Sequence, residues 1–149
     1  MTPLNRRLVF DLEEGEIRDA DRRYLLMRPD VLMGALARLD GRDRTRVLQA
    51  FADSAAANGG NSVRAYLDEA DATPDRLLEI IRGAAAALGW GRWAFESAPG
   101  SLRLTVRNSP FAAGFGPSDR PVCAPISGML RSVAENVLHA PVVVTETAC

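Results

Sequence analysis

Two cysteines and a glutamate near the end of the chain are the residues whose types and spacing could do metal chemistry. Cys123 precedes a helix-length stretch. Beyond it, Val142-Val143-Val144-Thr145 leads into Glu146-Thr147-Ala148-Cys149, an E-x-x-C at the end of a strand-like segment. If that segment folds back along the helix, two soft sulfurs and a carboxylate converge, and that donor set suits zinc. The alternative is that both cysteines are small buried hydrophobes and Glu146 is a strand-end carboxylate. His139, the one histidine, follows a helix end, where its cation interacts with the helix dipole; it reads as that rather than as a ligand.

The second chemistry is apolar recognition. Trp90, Trp93, Phe95, Leu102, Leu104, Phe111, Phe115, Met129 and Val144 are candidates to line a pocket, with Ala124, Ser127 and Gly128 as a small-residue patch opposite an aromatic hairpin. Taken singly, each large residue is as well explained by the core. Gly128 lies in a helix interior, where glycine costs about 1 kcal/mol against alanine, so the position implies close approach of a backbone or a ligand. The indole N–H groups and the Tyr24 or Tyr66 hydroxyl are candidate anchors. No catalytic arrangement stands out: there is no Ser/His/Asp set, no helical H-E-x-x-H and no phosphate loop. Gly89-x-Gly91 and Gly114-x-Gly116 read as turn glycines.

These residues need elements to position them. Alternation over Leu8, Phe10 and Leu12 predicts a strand, with a return strand at Ile17 and a third over Arg23-Tyr24-Leu25-Leu26-Met27. Pro29 opens a helix that Asp40-Gly41 closes. A second helix runs from about Asp43 to Ala57, and Asn58-Gly59-Gly60 breaks it before a short helix with Val63, Tyr66 and Leu67. Thr73-Pro74-Asp75 starts a third, ended by Gly89. Trp93 and Phe95, then Leu102, Leu104 and Val106, give an antiparallel hairpin around Pro99-Gly100. Residues 108–120 read as a long, lid-like loop. The last helix spans about Cys123 to Leu138, and Pro141 stops it ahead of a strand at Val142 to Val144.

Bulk properties bound the partners. At 149 residues the chain reads as one domain with room for a core. The net charge is −1 and every basic residue is arginine without a basic run, so no nucleic-acid footprint is expected. No apolar run reaches membrane-spanning length. The start, Met1 to Arg7, does not read as a signal peptide, and two cysteines without an export signal point to a reducing cytoplasm.

The loop Asn108-Ser109-Pro110-Phe111-Ala112, the segment Pro121-Val122-Cys123, the helix with Gly128 and the closing Val142 to Cys149 together resemble the 4-vinyl-reductase, or hydrocarbon-binding, domain family. That resemblance implies a mixed α/β (α+β) fold, an antiparallel sheet packed with several helices, and frequent homodimers. It implies a sensor or carrier of small hydrophobic or aromatic molecules, like the effector domains of bacterial phenol- and toluene-responsive activators, with output through a separate protein. The rival readings are an enzyme or accessory of tetrapyrrole metabolism and an interaction scaffold without a ligand. The resemblance also implies a structural zinc on Cys123, Glu146 and Cys149. The family's fourth ligand, a further cysteine, has no counterpart here. Either the natural chain continues, or a water fills the position, or no metal binds.

Overall fold

The N-terminus opens on a short 3-10 turn, Leu4–Arg6, followed by three antiparallel strands in the order β1 (Val9–Asp11), β2 (Glu16–Asp19) and β3 (Arg22–Tyr24). The computed structural model describes residues 4–70 and 73–149; Met1-Thr2-Pro3, Asp71-Ala72 and the side chains of Tyr66, Asp68, Glu69 and Ala70 lie outside that description, and the Tyr66 anchor with them. Gly15, at φ 67°, makes the β1–β2 turn possible. Asp19 is buried, and the Arg7 guanidinium donates to its carboxylate at 2.8 Å, pinning the sheet to the chain start. The third strand is shorter than expected. Leu25, Leu26 and Met27 leave the sheet and face solvent, because no further strand offers them a ladder among the described residues.

Helix α1 (Pro29–Ala37) begins with proline at its first turn, as the sequence suggests. Helix α2 (Gly41–Ala70) corrects the sequence reading: it runs unbroken for 30 residues, about 45 Å at the usual rise, through Asn58-Gly59-Gly60. The reason is packing against α5 (Ala124–Leu138). A Cβ on Gly59 would lie 2.1 Å from the Met129 sulfur, and one on Gly60 would lie 2.8 Å from the Ser132 hydroxyl. The two glycines admit α5 rather than ending α2, and tertiary contact outweighs their low propensity. Asn58 stays in the helix too, donating its side-chain amide to the Ser54 carbonyl at 3.0 Å.

Helix α3 (Pro74–Ala87) starts as expected, with the Thr73 hydroxyl accepting from the Arg76 N–H at 3.4 Å. It buries Leu77, Leu78, Ile81 and Ala85. The hairpin β4 (Arg92–Ala98) and β5 (Ser101–Arg107) pairs Trp93 with Val106, Phe95 with Leu104 and Ser97 with Leu102. It packs against α3 and α5. Trp93 is only 2% exposed and sits in a core shared with Met33, Leu77, Ile81, Val122, Ile126 and Val133.

The loop expected over residues 108–120 contains a helix, α4 (Pro110–Phe115). Ser109 caps it and Pro110 fills its first position, the same start chemistry as Thr73-Pro74. A Cβ on Gly114 would meet the Pro29 carbonyl at 2.4 Å, so α4 lies directly on α1. The closing valines form no ladder; they run as an extended tail in which Val142 and Val144 are half-buried and Val143 is 95% exposed.

Candidate functional site

Cys123 is the residue before α5, and the chain from Pro141 onward returns to it. The Glu146 carboxylate accepts the Cys123 backbone N–H, with the two carboxylate oxygens 3.3 and 3.2 Å away. The Cys123 and Cys149 sulfurs are 3.4 Å apart. One donor atom from each of Cys123, Glu146 and Cys149 lies within 4.8 Å of the others. The tail therefore folds back as the donor pattern requires, even though its valines join no sheet. Cys123 is buried and Cys149 exposed, and both are free thiols.

The Ser109 hydroxyl lies 3.1 Å from the Cys123 sulfur. Sequence reasoning missed this neighbour; the Ser-Pro start of α4 was the available signal. Burial pushes the Cys123 thiol up, to about 12; the Ser109 hydroxyl acts against that, while the Cys149 thiol and the Glu146 charge add to it. Left alone, the thiolate would thus sit among groups that disfavour its charge. A divalent cation reverses that balance, since it deprotonates a coordinating thiol. Two thiols and a carboxylate converging on one point fit zinc by donor chemistry. His139 caps the end of α5 in the left-handed region at φ 53°, the helix-end place its position suggested.

The aromatic candidates divide in two. Trp90 meets Phe111 edge to face, with ring centroids 5.2 Å apart, and Trp93 meets Phe95 at 6.0 Å. The Trp93 indole N–H donates to the Trp90 carbonyl at 3.0 Å, so that anchor is already used. Phe95, Leu102 and Leu104 are half-buried beside Trp93, and Phe115 lies under the Arg44 guanidinium at 5.3 Å. Gly128 and Met129 have their closest contacts elsewhere. A Cβ on Gly128 would lie 2.1 Å from the Ala52 carbonyl oxygen of α2, and Met129 reaches Gly59 on the same helix. The patch expected to face the hairpin is, at Gly128, a seat for a helix backbone. Ser127 and Val144 are half-buried.

One concavity was not foreseen. An open groove of about 540 Å³ is lined by Gly15, Ile17, Arg23, Tyr24, Leu25 and Leu26 on the N-terminal sheet. The run Leu25-Leu26-Met27, apolar without alternation, was its trace in the sequence.

The family model of the 4-vinyl-reductase domain matches residues 102–149, which hold β5, α4, α5 and all three donors. In fold the chain is similar to the phenol-responsive sensory domain of the transcription activator PoxR, crystallised with phenol. The TM-score is 0.77 at 18% identity, over 98% of this chain and 79% of that one. The mixed fold of helices and antiparallel strands is thus that of a sensory domain of the 4-vinyl-reductase type. No curated protein matches the chain in sequence.

Proposed function

We propose that this chain is a single non-enzymatic domain that binds a small apolar or aromatic molecule, as a sensor or carrier. The observation that carries the reading is the half-buried hairpin face of Phe95, Leu102 and Leu104, continuous with the Trp90–Phe111 pair. Sites for small ligands are mostly apolar, with few polar anchors. The likeness in fold to a phenol-responsive sensory domain supports the same class of ligand. Trp90, Phe95, Leu102, Leu104, Phe111 and Phe115 are the contacts we assign to it, and ring contact and shape do most of the selection.

Thermal denaturation with phenol, a fatty acid and a vinyl tetrapyrrole as separate arms tests this. Phenol at a hundredfold its Kd should add about 2.7 kcal/mol of stability, and Phe95→Ala should reduce the gain. Turnover of the tetrapyrrole with a reductant would favour an enzyme instead. No shift with any of the three would leave a scaffold as the better reading.

Cys123, Glu146 and Cys149 would hold a structural zinc, which would bind the tail to the start of α5. Such an ion supplies cross-linking, and three protein donors leave one tetrahedral position to water or another group. Free thiols at this site suit the reducing cytoplasm. No helix among the described residues is long and apolar enough to cross a membrane. Signal output would pass through a separate protein.

The chain would act as a homodimer through its N-terminal sheet, where Leu12, Leu25 and Leu26 are 89%, 75% and 74% exposed along with Val9 and Phe10. An apolar surface of this kind marks an interface, and both edges of the sheet are open among the described residues. Sedimentation should show a dimer, and the double variant Leu25→Glu/Leu26→Glu should be a folded monomer. A wild-type monomer at high concentration rules the dimer out.

A further inference from the structure

We infer that Ser109 is the positioning residue of the metal centre: its hydroxyl fixes the Cys123 sulfur as a ligand and ties that sulfur to α4. This rests on the zinc reading and goes beyond it. The Ser109 oxygen has two neighbours. It accepts the Ala112 N–H at 3.4 Å as the cap of α4, and it lies 3.1 Å from the Cys123 sulfur. With the helix N–H occupying an oxygen lone pair, the hydroxyl proton is free to point at sulfur. A metal-bound thiolate has no proton of its own and can only accept. The serine therefore donates, and the contact becomes a charge-assisted bond. Cys123 is then held from three directions: its N–H by Glu146, its sulfur by Ser109, and its backbone by the first turn of α5.

The same hydroxyl joins the two halves of the site. Helix α4 carries Phe111, which meets Trp90, and Phe115; its Gly114 rests on α1. A shift of α4 would move the Ser109 oxygen relative to the sulfur, so the aromatic cluster and the metal centre share one mechanical link. Partners of this kind orient a ligand, and their loss typically costs about 10–100-fold in metal affinity.

The test compares Ser109→Gly and Ser109→Thr with the wild type, using zinc competition against a chromophoric chelator and the thiolate charge-transfer band of the cobalt(II) form. Glycine is a tolerable helix cap, so Ser109→Gly removes the donor while sparing most of the cap. The expected result is a tenfold or greater loss of zinc affinity with a shifted cobalt band in Ser109→Gly, and recovery of both in Ser109→Thr. Far-ultraviolet circular dichroism should stay unchanged throughout. If the wild type gives the thiolate–cobalt band and Ser109→Gly matches it in affinity and spectrum, the role of Ser109 is refuted while the metal centre stands. A wild type with no such band overturns both.

Discussion

Gly128→Ala should lower the free energy of unfolding by about 2–3 kcal/mol, although alanine is the better helix former by about 1 kcal/mol. The new methyl would sit 2.1 Å from the Ala52 carbonyl oxygen and 2.8 Å from its carbon. Those are backbone atoms of a long helix and cannot rotate away as a side-chain tip can. Helices α2 and α5 must separate, which loosens Gly59 and Gly60 against Met129 and Ser132 as well. Gly83, inside α3, is the control, since a Cβ there meets nothing within 4 Å. Gly83→Ala should raise stability by about 0.5–1 kcal/mol through propensity and the unfolded chain. Urea midpoints moving in opposite directions in the two variants are the expected result. Equal midpoints would mean that α2 and α5 do not meet at Gly128.

The contrast between those glycines also shows what a sequence can disclose. Gly83 and Gly128 look alike in a helical pattern, and only tertiary contact separates them. Local chemistry was legible: Thr73-Pro74-Asp75 starts α3, and alternation across Trp93 to Val106 gives the hairpin with its register. Gly59-Gly60 misled because the partner that makes them helical, α5, lies far along the chain. Ser109-Pro110 carries the same start signal as Thr73-Pro74, but glycines and prolines around it masked a six-residue helix. The three donors were legible by type and spacing. Their convergence was not, because it depends on an extended tail that no ladder holds. That tail is kept in place by the Cys123 N–H on Glu146 and by the half-burial of Val142 and Val144. Ser109 could be placed beside Cys123 only once α4 had turned the chain.

Because so little else holds the tail, zinc should have the larger effect on stability. At a hundredfold its Kd, zinc should raise the unfolding free energy by about 2.7 kcal/mol and Tm by roughly 5–10 °C. A chelator should reverse the gain. Cys149→Ser should abolish most of it, and a variant with wild-type zinc content and midpoint would remove Cys149 from the ligand set. Glu146→Gln should be milder, since the amide oxygen can still accept the Cys123 N–H while the charge is lost. The sign of the pH dependence follows from Cys123. Its thiol is pushed up to about 12, so near neutrality the metal-free protein carries that proton and zinc must displace it. Rising pH lowers the cost of the displacement, and affinity should tighten by about tenfold per pH unit for this one proton. Titrations at two pH values, with zinc competition as the readout, check the slope. A flat profile would mean that zinc binds without taking the Cys123 sulfur as a thiolate, which leaves the exposed Cys149 and Glu146 as a weak surface pair with no hold on α5.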